Sequence, residues 1–311
     1  MLRLDGFQRL ALLTTGTTYL LIMVGGVVRA SGAGLGCPDW PLCFGLLVPP
    51  TSAGELPPGF DPTQFNALKT WTEYLNRLLG ALVGLLILAT TIGAIVQHRG
   101  RPRVWLPTVG ALVLVGVTGW LGGRVVKTGL DPLTLTAHLV FALGVVSLLL
   151  YATLSAFFPA GPLPRVEPAL ARTGRLTVLA GALVLVQVGL GAFVRGAVQE
   201  VADQGVPRAE WLAHVGAVEA IHGSFAVLVT GAVLGVAYLA ARPGDPWLRR
   251  AGRAAAAAAL VQAGAGWGLT ALGFPRVLQV VHLTFAALLI GALSLVALLA
   301  FRVDPRAAPR P

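Results

Sequence analysis

Residues 133–158 read LTLTAHLVFALGVVSLLLYATLSAFF, a run without Asp, Glu, Lys or Arg that carries one histidine, His138. An α-helix rises 1.5 Å per residue, so roughly 20 apolar residues cross the hydrocarbon core of a bilayer. This stretch is long enough and apolar enough to be such a helix. An ionisable side chain inside it is costly there and usually functional.

Working outward, seven further segments share this character: 8–29, 73–97, 104–126, 174–195, 213–241, 254–273 and 276–301. The composition agrees, with 56% hydrophobic and 12% charged residues, where soluble domains carry about 25% charged residues. The net charge of +10 sits in short clusters between apolar runs, without aromatic interleaving, which excludes a nucleic-acid partner. The first apolar run is too long for a signal peptide, and Gly25-Gly26-Val27-Val28-Arg29 offers no small-residue cleavage site, so it reads as a retained helix.

Arginine sets the expected orientation. Arg3, Arg9, Arg99, Arg101, Arg103, Arg165, Arg172, Arg175, Arg242, Arg249, Arg250, Arg253, Arg302, Arg306 and Arg310 all fall on one side of an eight-span topology. The positive-inside rule places that side, and with it both termini, in the cytoplasm. The long loop 30–72 and the loop 196–212 then face outward, and the outer face is the expected working surface.

The chain repeats itself. Glu73-Tyr-Leu-Asn76 corresponds to Glu219-Ala-Ile-His222 at an offset of 146, and His138-Leu-Val-Phe141-Ala142 to His282-Leu-Thr-Phe285-Ala286 at 144. Gly119-Trp120 pairs with Gly266-Trp267, and Val28-Arg29 with Val194-Arg195. Four helices separate the members of each pair, so the repeat is parallel, with its pseudo-axis along the membrane normal. The expected fold is all-α: eight transmembrane helices as two pseudo-symmetric four-helix bundles, residues 1–160 and 161–311.

Chemistry concentrates on the histidines. His98 lies in a basic turn and reads as solvated; His214 reads as surface or supporting. His222 and His282 are placed to face each other across the second bundle, a common way to hold a cofactor. Imidazole is a usual axial ligand of haem iron, and no cysteine or aspartate completes a zinc spacing. In the first half His138 matches His282, but Asn76 stands opposite His222. Asparagine is a poor haem ligand, so this half offers one histidine and an open iron face. Glu73 and Glu219 lie one turn before Asn76 and His222. Either they serve a ligand or a proton, or they simply favour the helix N-terminus. Arg29, Arg77, Arg124 and Arg195 near the same helix ends can grip propionates or snorkel. Cys37 and Cys43, in Cys-Pro-Asp-Trp-Pro-Leu-Cys, suit a disulfide in an oxidising compartment, either as a staple or as a redox-active pair.

The stretch Ser31-Gly-Ala-Gly-Leu-Gly-Cys37-Pro-Asp-Trp-Pro-Leu-Cys43, with Glu73 to Arg77, the two histidine helices and the repeat, resembles the haem A synthases. The resemblance spans essentially the whole chain. It implies an enzyme that oxidises the C8 methyl of haem O to the formyl of haem A for terminal oxidases. It implies a resident haem b on His222 and His282, and substrate haem O in the half that carries His138. By the same resemblance Glu73, Cys37 and Cys43 belong to the catalytic region, and Asn76, Arg29, Arg77 and Arg195 to the haem-binding set. The family usually carries histidine where Asn76 stands. Expected partners are a haem O synthase, an electron donor of unspecified kind, membrane lipid and a second copy of the chain, in the inner (plasma) membrane. The alternative is a membrane cytochrome b that only transfers electrons, which predicts two bis-histidine centres of like character.

Overall fold

The computed structural model describes residues 4–158 and 166–301. Arg3, Arg165, Arg302, Arg306, Arg310 and the expected boundary between the halves at 160/161 lie outside them. The described chain is all-α. Its helices are α1 (Gly6–Ser31), α2 (Ala67–Gln97), α3 (Pro102–Lys127), α4 (Pro132–Phe157), α5 (Pro168–Asp203), a short α6 (Trp211–Val215), α7 (Ala217–Ala241), α8 (Pro246–Ala271) and α9 (Arg276–Ala300). Eight of these, all but α6, are long and apolar enough to cross a membrane.

Local signals account for the helix starts. Asp5 and Gln8 form a reciprocal capping box at α1. The side chains of Asn66, Asp131 and Asp245 accept from Lys69, Thr134 and Leu248 amides at α2, α4 and α8. These contacts satisfy donors that a helix cannot satisfy internally. Proline opens α3, α4, α5 and α8, where its missing N–H costs nothing.

Helices α2 and α5 each start six residues before the sequence expectation, at Ala67 and Pro168, and three larger differences have clear causes. Helix α5 runs beyond 195 to Asp203 because Val194, Val198 and Val201 are buried at helical spacing. Val194 and Val198 share a cluster with Leu269, Phe274 and Trp211. Helix α8 starts at Pro246 rather than 254, since Leu248, Ala251 and Ala255 form a buried face despite the intervening arginines. The segment 213–241 is broken at Gly216, whose φ of 78° and ψ of −156° belong to a region that only glycine enters freely.

The helices pack as two like halves. Within each, the first helix meets the second, the third meets the fourth, and the fourth closes on the first. Between halves, α1 lies on α9, α5 lies on α4, and α4 touches α9 across the pseudo-axis. Glycines allow these crossings. A Cβ on Gly26 would stand 3.3 Å from Leu283, and one on Gly196 would stand 2.7 Å from Pro132, the small-residue contact expected between membrane helices. Ser294 and Ser147 hydroxyls meet at 3.4 Å on the α4–α9 seam.

Threonine hydroxyls tie the end of the first half where α1 begins. Thr14 meets Thr90 at 2.8 Å, Thr15 meets Thr153 at 3.2 Å, and Thr91 donates to the Thr108 carbonyl at 3.1 Å. Several of these hydroxyls also donate back to the carbonyl four residues earlier, so polar groups are satisfied without water.

Candidate functional site

The histidine centres sit where α8–α9 and α3–α4 turn back on each other. Nδ1 of His282 lies 3.0 Å from the Gln262 carbonyl oxygen, and Nδ1 of His138 lies 3.0 Å from that of Thr118. A carbonyl only accepts, so Nδ1 carries the proton in both rings and Nε2 is the bare nitrogen. Fixing the tautomer of a ligating histidine through its other nitrogen is a common feature of metal sites. Both pairs stand at an offset of 144, which sets Gly122 against Gly266. The true register therefore differs by three residues from the sequence pairing of Gly119-Trp120 with Gly266-Trp267.

Glycines make room for each ring. A Cβ would stand 3.1 Å from Cε1 of His282 at Gly266, 3.4 Å from Cε1 of His138 at Gly122, and 3.0 Å from Cε1 of His222 at Gly191. Across the second bundle, the His222 and His282 rings have centroids 6.4 Å apart. Metal–imidazole bonds are about 2 Å long, so two rings on opposite sides of one ion have centroids about 6 Å apart. Among the described residues no third His, Cys, Asp or Glu joins them as a cluster. A metal there must bring most of its own ligands, as a porphyrin does. The residues present fit a haem.

Gln187 and Gln262 were missed in the sequence. The Gln262 amide nitrogen lies 3.1 Å from His282 Nε2; that of Gln187 lies 3.4 Å from His222 Nε2 and donates to the His222 carbonyl at 3.0 Å. Both glutamine Oε1 atoms and His222 Nδ1 are buried without partners, a combination that native interiors rarely leave. The available signal was an amide side chain inside each of two apolar runs.

The first half is built differently. Asn76 occupies the place of His222, with Oδ1 buried and unpartnered and Gly25 beside it, where a Cβ would stand 3.9 Å away. One turn earlier Glu73 is buried, accepting from the Cys37 amide at 2.9 Å and from Arg77 at 2.5 Å. Arg77 also donates to the carbonyls of Asp39 and Leu42, both at 2.8 Å. Its N–H groups are thus engaged by the loop, not held free for a propionate. Its repeat equivalent is Gly223, so Glu219 has no such clamp and sits half-buried in the first turn of α7.

Cys37 and Cys43 form a disulfide, and both are buried. Asp39 inside the ring accepts from the Phe44 and Gly45 amides at 2.6 and 2.7 Å. Trp40 packs on α3 at Gly123, where a Cβ would stand 2.7 Å from the indole. Phe44 meets Phe60 and Phe65 edge to face, and the three rings pack with the disulfide in one hydrophobic cluster. The loop is thereby fastened to α2 and α3 beside the first histidine centre.

Arg29 and Arg195 occupy equivalent ends of α1 and α5. Each has Nε buried with no acceptor, and they are close enough to repel one another. Arg195 Nη1 reaches Gln199 at 3.2 Å. The only salt bridge among the described residues is Glu73–Arg77, and the acidic influence on Arg195 is Asp203, one turn past Gln199. Arg124 is exposed. His214 is exposed on α6, as expected, bonded to the Glu210 carbonyl. His98, expected to be solvated, is instead half-buried with its ring 4.7 Å from Phe7.

Comparison with known proteins agrees with this architecture. A protein named Heme A synthase from Shewanella oneidensis is 33% identical over 43% of this chain and 40% of its own length. One from Granulibacter bethesdensis is 30% identical over 57% and 52%. The chain thus spans about half the length of these relatives or less. A third, from Methylorubrum extorquens, is 29% identical over 93% of this chain and 85% of its own. The model of the cytochrome oxidase assembly protein family matches residues 8–294. This chain, a multi-pass membrane protein with two repeat-related histidine centres, belongs to the cytochrome oxidase assembly protein family COX15-CtaA.

Proposed function

We propose that this protein is a haem A synthase, a membrane oxidoreductase that oxidises the C8 methyl of haem O to a formyl group. The observation that carries this reading is the asymmetry of two equivalent centres. His222 and His282 form a close pair suited to a resident haem b, whereas the half that carries His138 has Asn76 at the position equivalent to His222. An electron-transferring cytochrome b would have two like centres, and this chain does not. Relatives named Heme A synthase support the same reading.

In this mechanism the iron of the two haems supplies the redox chemistry. The chain's own residues hold, orient and screen. The Gln262 and Thr118 carbonyls hold the proton on Nδ1 of His282 and His138, so Nε2 of each ring is the unprotonated nitrogen that would take iron. Arg29 and Arg195, each with a buried Nε free of a protein acceptor, would be the residues to pair with haem propionates near the seam between halves. Glu73 and Arg77 hold the cysteine loop against the substrate half and exclude water from its edge. The buried disulfide keeps that loop closed. The arginine-rich end of the bundle faces the cytoplasm and the cysteine loop the opposite side of the plasma membrane. The family's pathway makes a haem O synthase the natural source of substrate.

The test is co-expression with a haem O synthase in a host that lacks haem A, followed by haem extraction and chromatography. Hydroxylated or formylated haem is the expected product. Haem b with unchanged haem O alone would favour the electron-transferring cytochrome.

A further inference from the structure

The two centres differ on the side opposite their shared histidine. On α9, His282 is matched by His138 on α4 with the same carbonyl contact. On α7 and α2 the match is His222 against Asn76. The register of α5 on α1, fixed by Arg195 with Arg29 and by Gly191 with Gly25, places Gln187 against Leu21. The second centre therefore has an imidazole on each side and an amide near each Nε2. The first has one imidazole, an asparagine, Leu21 in place of Gln187 and Thr118 in place of Gln262.

Asn76 is not idle filling. Its Oδ1 is buried without a partner, whereas buried acceptors in native proteins almost always receive a hydrogen bond. The carboxamide holds two donors and an acceptor and can turn either toward a guest. It lies one turn beyond Glu73, but both Glu73 oxygens are already engaged by Cys37 and Arg77. Polar hydrogen-bonding groups on the face of a haem opposite its protein ligand decide whether the iron takes a small molecule.

We propose that the first centre binds its haem iron through His138 alone, and that Asn76 hydrogen-bonds a small exogenous ligand, such as water, dioxygen or carbon monoxide, on the open face. This rests on the haem reading above. The second centre, with both faces taken by His222 and His282, excludes such ligands. The chain thereby separates a ligand-accepting iron from a closed one, chiefly by Asn76 standing where its repeat has His222.

The experiment uses the full chain purified with its haems, comparing wild type with Asn76→His, Asn76→Leu and His138→Ala. Absorption and paramagnetic resonance spectra report spin state, and carbon monoxide titrates the reduced protein. Wild type is expected to show one low-spin and one high-spin or water-ligated haem, with carbon monoxide taken up by half of the iron. Asn76→His should render both haems low-spin and abolish carbon monoxide binding. Asn76→Leu should still bind the gas, with its C–O stretch shifted to higher frequency by loss of the amide contact. His138→Ala should remove the gas-binding haem. The low-spin signal of the second centre reports in each variant that the bundle is folded. Two low-spin haems in wild type, inert to carbon monoxide, would overturn the proposal while leaving the haem reading intact. So would an unshifted C–O stretch in Asn76→Leu. Protein that binds no haem, or haem indifferent to both His138→Ala and His282→Ala, would overturn the haem reading itself.

Discussion

The backbone N–H of Cys37 donates to Oε2 of Glu73 at 2.9 Å, so the disulfide ring and the carboxylate of α2 form one hydrogen-bonded unit. Arg77 completes it, since its guanidinium spans Glu73 Oε1 and carbonyls at Asp39 and Leu42. The loop is held by its backbone, which explains how a segment rich in glycine and proline keeps a fixed place beside the first centre.

Removing Arg77 should therefore release the loop. The pair is shielded, with Glu73 and Arg77 side chains 5% and 15% exposed, and breaking a buried pair by deleting one partner costs about 3–5 kcal/mol. Arg77→Met is expected to lower Tm by several degrees and to open residues 38–60 to protease, while haem content of the second half stays intact. A protease pattern identical to wild type would show that the disulfide alone closes the loop.

The glycines beside the histidines should be graded in their sensitivity. An alanine methyl at Gly191 or Gly266 would stand 3.0 or 3.1 Å from an imidazole carbon, against 3.4 Å at Gly122. Gly191→Ala and Gly266→Ala are expected to displace the ring and lower haem content of the second centre, measured as pyridine haemochrome per protein. Gly122→Ala should be milder. Equal loss at all three would mean that ring position is not what these glycines protect.

The division of labour between halves follows from the repeat. His282→Ala and His222→Ala should each abolish the resident low-spin haem signal. His138→Ala should preserve it while conversion of haem O stops. Full conversion by the His138 variant would refute the assignment of substrate to the first half.

Asp131 offers a pH test outside the membrane spans. Its carboxylate accepts from the Thr134 amide and hydroxyl at 2.8 Å each, and these bonds hold its pKa below the usual 3.8. A depressed folded pKa gives stability that is present above the unfolded pKa and lost as pH falls through the folded one. Asp131→Ala should thus lower Tm at neutral pH, and the gap to wild type should close only as the pH drops below 3.8. A gap unchanged at low pH would place the effect in packing, not in the cap.

Much of this molecule was written in its sequence. The eight spans, their common order in two halves, and the pairing of His282 with His138 and His222 with Asn76 all follow from local runs. Bilayer thickness sets helix length, and a parallel repeat shows as matched motifs recurring in the same helix order. The disulfide was left open by spacing alone, because a staple and a reactive pair share one sequence. Its burial and its coupling to Glu73 needed the folded loop. From the sequence Arg77 fits either a propionate grip or a snorkelling arginine, and only the fold shows its guanidinium on Glu73 and the loop carbonyls of Asp39 and Leu42. Gln187 and Gln262 were invisible as site residues because their meaning lies in contacts across 35 and 20 positions. The extension of α5 to Asp203 likewise needed α8 and Trp211 as a surface to bury its valines. Sequence determined which residues recur and which helices span; packing between distant helices decided which recurring groups meet, and which are left without a partner.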